Sequence, residues 1–155
     1  MVEPIKVIAR YINGSMIRGI TYDFFPNKDR FHVVPAGKPL EKPIEVILKD
    51  LKAVFVVRTF DGDPGYVEQK TYREGDIPQG TPLEVTFTDG EVMVGSTMGF
   101  DPKRQGFFLQ PVDPMGNNIR VFVVTSSLKS MRQLLLKSGL SIEVTLPKDK
   151  GKPPR

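Results

Sequence analysis

The 155 residues include no cysteine, and 39% are hydrophobic and 26% charged; this excludes disulfides and thiolate metal sites and fits an ordinary globular chain. The net charge of +4 sits at one end. Residues 126–155 hold seven Lys or Arg against two carboxylates, leaving the first 125 residues at −1, which excludes a uniformly basic body.

The chain opens at Met1-Val2-Glu3-Pro4 directly into strand pattern, with no apolar leader core. No apolar run approaches the roughly 20 residues that span a bilayer. Both features predict a cytoplasmic chain without a membrane segment. Val7, Ala9 and Tyr11 alternate along a first strand, and Asn13-Gly14 then marks a hairpin of the type I′ kind, with positive φ at both central residues. Met16 to Thr21 form a second strand whose interior Gly19 signals a bend or a close backbone approach. Asp23 to Phe31 read as a turn between aromatic anchors, followed by a third strand ending at Pro35. A polar connection leads to a fourth strand at Ile44 to Leu48, a turn at Asp50-Leu51-Lys52, and a fifth strand from Ala53 to Thr59.

After residues 63–80 the same order returns. Asn13-Gly14, Gly19, Phe24, Pro26, Phe31 and Pro35 recur 76 residues later as Asp89-Gly90, Gly95, Phe100, Pro102, Phe107 and Pro111. After a slip of one residue, Leu51-Lys52 recurs as Leu128-Lys129. Six anchors in one register predict two copies of one structural unit. Ser126 to Lys137 fit a helical period as well as a strand; analogy with Ala53-Val54-Phe55-Val56-Val57 favours a strand. Leu140 to Leu146 alternate as an extra strand, and residues 148–155 form a basic tail. The expected organisation is a first unit over 1–62, a linker over 63–80, a second unit over 81–147 and a disordered tail. Tyr66, Val67, Tyr72 and Ile77 are the linker residues available to pack onto the units. Units this small are expected to pack on one another or on another chain.

The expected fold class is all-β: two tandem five-stranded small barrels related by internal duplication. Asp89-Gly90, Gly95, Phe100-Asp101 and Phe107 to Leu109 resemble the first motif of Sm-like proteins, and Ile119-Arg120 the start of their second. The resemblance implies an SH3-like barrel that assembles through edge strands and binds RNA. Its RNA-site residues carry over at Asp101 and Arg120. Gln105 stands where the motif has asparagine, Val121 where it has glycine, and Phe24-Phe25 where the first copy would have Phe-Asp. A nearer likeness, carried by Asp23-Phe24-Phe25-Pro26-Asn27 with Gly19, Phe31, Pro35 and Leu51-Lys52, covers roughly residues 5 to 62. It is to an uncharacterised bacterial family and implies an accessory module in signalling proteins.

Enzyme signatures are missing. His32 is the one histidine, which rules out paired-histidine metal sites, and its alignment with Phe108 implies a strand-face position. No phosphate loop is present, and Asp61-Gly62-Asp63 lacks the further ligands of a calcium loop. No catalytic residue, metal or cofactor is therefore expected. The expected role is a binding or scaffold module with a protein partner. RNA or single-stranded DNA is the alternative, and edge pairing could also make a homo-oligomer. The contact residues would be Phe25, Asn27, Lys28 and Arg30 in one loop, Asp101, Lys103 and Arg104 in its counterpart, and Arg120. Phe24, Phe31, Phe100 and Phe107 are expected in the core, with Phe25 exposed.

Overall fold

The computed structural model describes residues 3–38 and 41–147; the basic tail expected over 148–155 lies outside them. Every strand is antiparallel to its neighbours. The strands are β1 (Ile5–Tyr11), β2 (Met16–Thr21), β3 (Arg30–Pro35), β4 (Ile44–Ile47), β5 (Leu51–Val57), β6 (Thr81–Phe87), β7 (Val92–Thr97), β8 (Gly106–Pro111), β9 (Asn118–Val124), β10 (Leu128–Leu135) and β11 (Leu140–Val144). They form one eleven-stranded sheet in the order β11-β10-β6-β7-β8-β9-β5-β1-β2-β3-β4. No α-helix occurs among the described residues, and none is long and apolar enough to cross a membrane.

The bounds of β6, β7 and β8 fall 76 residues after those of β1, β2 and β3. Single 3₁₀ turns at Leu48–Asp50 and Thr125–Ser127 lie 77 apart, each leading straight into the next strand. Pairings follow the same offsets: Ala9 faces Val54 as Val85 faces Met131. Of residues 126–137, Leu128–Leu135 take the strand alternative, because β10 pairs with β6 on one side and β11 on the other.

The hairpin expectation needs one correction. Among the described residues none other than glycine has positive φ, while Gly14 and Gly90 both sit at +94°. The turns are therefore not type I′. Gly14 N–H donates to Tyr11 O and Gly90 N–H to Phe87 O, which closes a turn whose following glycine takes the left-handed conformation. The Asn13 and Asp89 side chains accept from the backbone N–H two residues on, at 2.9 Å in each case. That bond secures the turn without positive φ at residue 13 or 89. Gly19 and Gly95 serve as close-approach sites: an added Cβ would meet Val34 O at 2.1 Å and Gln110 O at 2.4 Å.

Two clusters of buried side chains hold the sheet together, and each takes residues from both halves. Val54 and Val56 of β5 enter the cluster of the first half with Val7, Phe31 and Val46. Ala53, Phe55 and Val57 point the opposite way, into the cluster formed by Val85, Phe87, Leu109 and Met131. β9 mirrors this, sending Val121 and Val123 to the second cluster and Phe122 and Val124 to the first. β5 and β9 pair directly, with Val54 facing Phe122 and Phe55 facing Val121. A strand buried on both faces must be apolar throughout, which is why Ala53 to Val57 show no alternation. The corresponding strands away from the seam, β4 and β10, are buried only at some positions, such as Val46, Leu128 and Met131.

Segment 58–80 contains no strand and crosses the turn between β8 and β9. Arg58 donates to Gly116 O and Pro114 O, and Tyr66 Oη donates to Asp113 Oδ2 at 2.6 Å. Tyr72 is half-buried, but Val67 and Ile77 are 92% and 94% exposed. The expectation that these two pack on the body is overturned; the polar groups of the segment anchor it instead.

Candidate interaction surface

The loops after β2 and β7 are built alike. Thr21 and Thr97, both buried, hydrogen-bond into the loop that follows. Lys28 N–H donates to Phe25 O and Arg104 N–H to Asp101 O, each at 3.0 Å. Asp101 also accepts from the backbone N–H of Lys103 at 2.9 Å.

What joins the loops is Gln105. Its amide nitrogen donates to Pro26 O at 2.8 Å and to Lys28 O at 2.6 Å, 79 and 77 residues away in sequence. Phe24 completes the junction by packing edge-on against Phe31 of its own half and against Phe108 and Phe122 of the other. Among the described residues Phe100 meets one other ring, Phe107 of its own half. Gln105 thus joins the two loops into one surface through partners that its own neighbours in sequence do not reveal.

The expected contact residues divide on this surface. Phe25 is 38% exposed, with the Lys28 ammonium 5.4 Å from its ring centre. Asn27 and Lys103 stand exposed in their loops. Arg30 is engaged by Asp29 at 3.1 Å and Glu45 at 3.3 Å, and Arg104 by Asp101 at 3.8 Å. Residues 23–30 are net neutral and 99–106 carry +1. Arg120 lies apart from the loop tips on β9, its guanidinium 4.9 Å from the Phe108 ring centre. It borders a shallow groove of about 370 Å3 with Gln79, Ser96, Met98 and Gln110.

Two features escaped the sequence. Asp23 accepts from His32 N–H at 2.9 Å and pairs with His32 Nδ1 at 2.7 Å. Partial burial pushes the Asp23 carboxyl up, but bonds from the His32 backbone, its ring and the Thr21 hydroxyl together hold it below its ordinary value. Lys52, nearly buried, reaches from β5 to Asp89 Oδ2 at 2.7 Å and to Glu91, with its ammonium 4.7 Å from the Phe87 ring centre. Burial lowers the Lys52 pKa, yet hydrogen bonds and charges from Asp89 and Glu91 raise it overall. A cleft of about 540 Å3 opens nearby between the halves, over Ile8, Arg10, Phe55, Glu84 and Met93 and beneath Gln69. Among the described residues no group of three or more His, Asp or Glu could hold a metal ion.

No curated protein and no solved structure matches the chain. A family model described as "Family of unknown function (DUF6982)" matches residues 3–135. That stretch runs from just before β1 to the last residue of β10.

Proposed function

The chain belongs to this family of unknown function, and from its own surface we propose that it is a non-enzymatic cytoplasmic binding module, engaging a protein partner in a bacterial signalling or regulatory context. In this reading each half is a small Sm-like barrel and the two descend from one duplicated unit. The matching strand bounds, turns and registers at offsets of 76 and 77 support that descent.

The observation that carries the binding role is the clamp of Gln105 on Pro26 and Lys28. It presents two loops as one fixed face at low entropic cost to a partner. Phe25, Asn27, Lys28 and Lys103 are its accessible groups, while Arg30, Arg104 and Asp101 are largely neutralised among themselves and their neighbours. A face with an exposed aromatic and balanced charge suits a protein better than a polyanion. The full chain should retain a partner from lysate with nuclease present, and Phe25→Ser with Lys103→Glu should abolish retention without changing the thermal melt. Retention that persists in the double variant would remove these loops from the role.

The alternative, RNA or single-stranded DNA binding, draws support from Arg120 stacked on Phe108, since cation and ring together form a stacking platform. It requires affinity for an oligonucleotide that falls steeply from low to moderate salt. A flat salt response excludes it.

A further inference from the structure

β10 is the second half's counterpart of β5, and the two differ in what covers their free edge. β5 pairs with β9 of the other half, whereas β10 pairs with β11. β11 has no strand 77 residues earlier, lies outside the family match, and among the described residues pairs with no strand but β10. It is also thinly buried: Leu140 is 65% and Ile142 52% exposed, and only Val144 and Leu146 pack on the second cluster. Its sequence nevertheless fits the edge. Val144 faces the buried Met131, and Glu143 faces Arg132, whose other cross-strand neighbour is Glu84.

We propose that β10 is a strand-accepting edge which the chain fills with its own β11, and that an extended segment of a partner protein displaces it. The segment would resemble β11, apolar towards the cluster and acidic opposite Arg132. Strand exchange of this kind replaces one ladder of backbone bonds with another, so little enthalpy is lost. The element displaced is the least buried strand of the sheet, the sort that opens below the global unfolding free energy.

A second copy of the chain fits poorly. Pairing β4 on β10 in the register of β5 on β9 would set Glu45 beside Met131 and Ile44 beside Arg132. Phe55 at the seam is Arg132 at this end, so the outer edge is not built to repeat the seam.

The proposal rests on the binding-module reading but is tested separately from the loops. The probe is a labelled peptide of residues 138–147, titrated into full-length wild type and full-length Ile142→Pro. The tethered strand competes at an effective concentration near millimolar, so the variant should bind the peptide about tenfold or more tighter than wild type. A Glu143→Lys peptide should bind the variant more weakly. Equal binding by wild type and a folded variant would overturn the proposal, and concentration-dependent self-association of the variant would replace the partner segment with a second copy. Should Ile142→Pro unfold, amide exchange in wild type decides: the β11 amides bonded to β10 must exchange well before those β6 and β10 share, and equal protection would overturn the idea. None of these failures touches the retention assay on the loops.

Discussion

The ammonium of Lys52 lies 2.7 Å from the carboxylate of Asp89, tying the fifth strand of one half to the first hairpin of the other. The counterparts of this pair, Lys129 and Asn13, are both exposed. The tie therefore belongs to the seam between halves, where β5 and β9 meet and each cluster takes side chains from across the junction.

Replacing Lys52 with Met keeps the stem over Phe87 and removes the charge. Asp89 and Glu91 are half-exposed, so solvent screens much of the interaction and the loss should be about 1 kcal/mol. Its pH dependence has a definite sign. The hydrogen bond from Lys52 leads the causes that hold the Asp89 carboxyl below its ordinary value. Stability from a depressed carboxyl is present above the unfolded value of about 4 and fades as pH falls through the folded one. Wild type should lose more stability than Lys52→Met between neutral pH and about pH 3, as read by denaturant midpoints.

Phe55→Ala deletes a ring that the first half lends to the second, and Phe122→Ala deletes one lent in the opposite direction. Each should cost about 3–5 kcal/mol. The informative readout is location: exchange protection should fall in both halves for either variant.

Gly95→Ala places a methyl 2.4 Å from Gln110 O, a backbone atom that cannot step aside. About 2 kcal/mol or more of destabilisation is expected. Gly99→Ala is the control, for nothing lies within 4 Å of its added Cβ. Thermal melts of the two variants should differ clearly.

Asp113 accepts from Tyr66 Oη, Gln69 N–H and Met115 N–H. The bond from Tyr66 leads the causes that keep its carboxyl below the ordinary range. Asp113→Ala removes the anchor of residues 63–72. Limited proteolysis should then cut within that segment much faster, with the sheet left intact.

Much of the strand order was legible because alternation and turn residues are local signals. Asn13-Gly14 and Asp89-Gly90 marked their hairpins correctly, yet the turn type depends on φ at residues 13 and 89, which the dipeptide alone leaves open. The run Ala53 to Val57 read as a β-rich fifth strand; that it is buried on both faces and marks the seam required knowing which strands lie beside it. Gln105 read only as a substitution for a family asparagine. Its actual partners are 77 and 79 residues away, a distance at which no spacing rule operates. Val67 and Ile77 looked like packing residues by type, but the segment carrying them is held by Arg58, Tyr66 and Asp113 and leaves both in solvent.

Native-state amide exchange across the denaturant transition is the most direct test of a shared seam. Val54 and Val56 in β5 and Val121 and Val123 in β9 should exchange in one cooperative opening, at the free energy of global unfolding. If the amides of β1–β5 and those of β6–β10 opened at separate denaturant midpoints, the halves would be independent bodies and the clusters would not be shared.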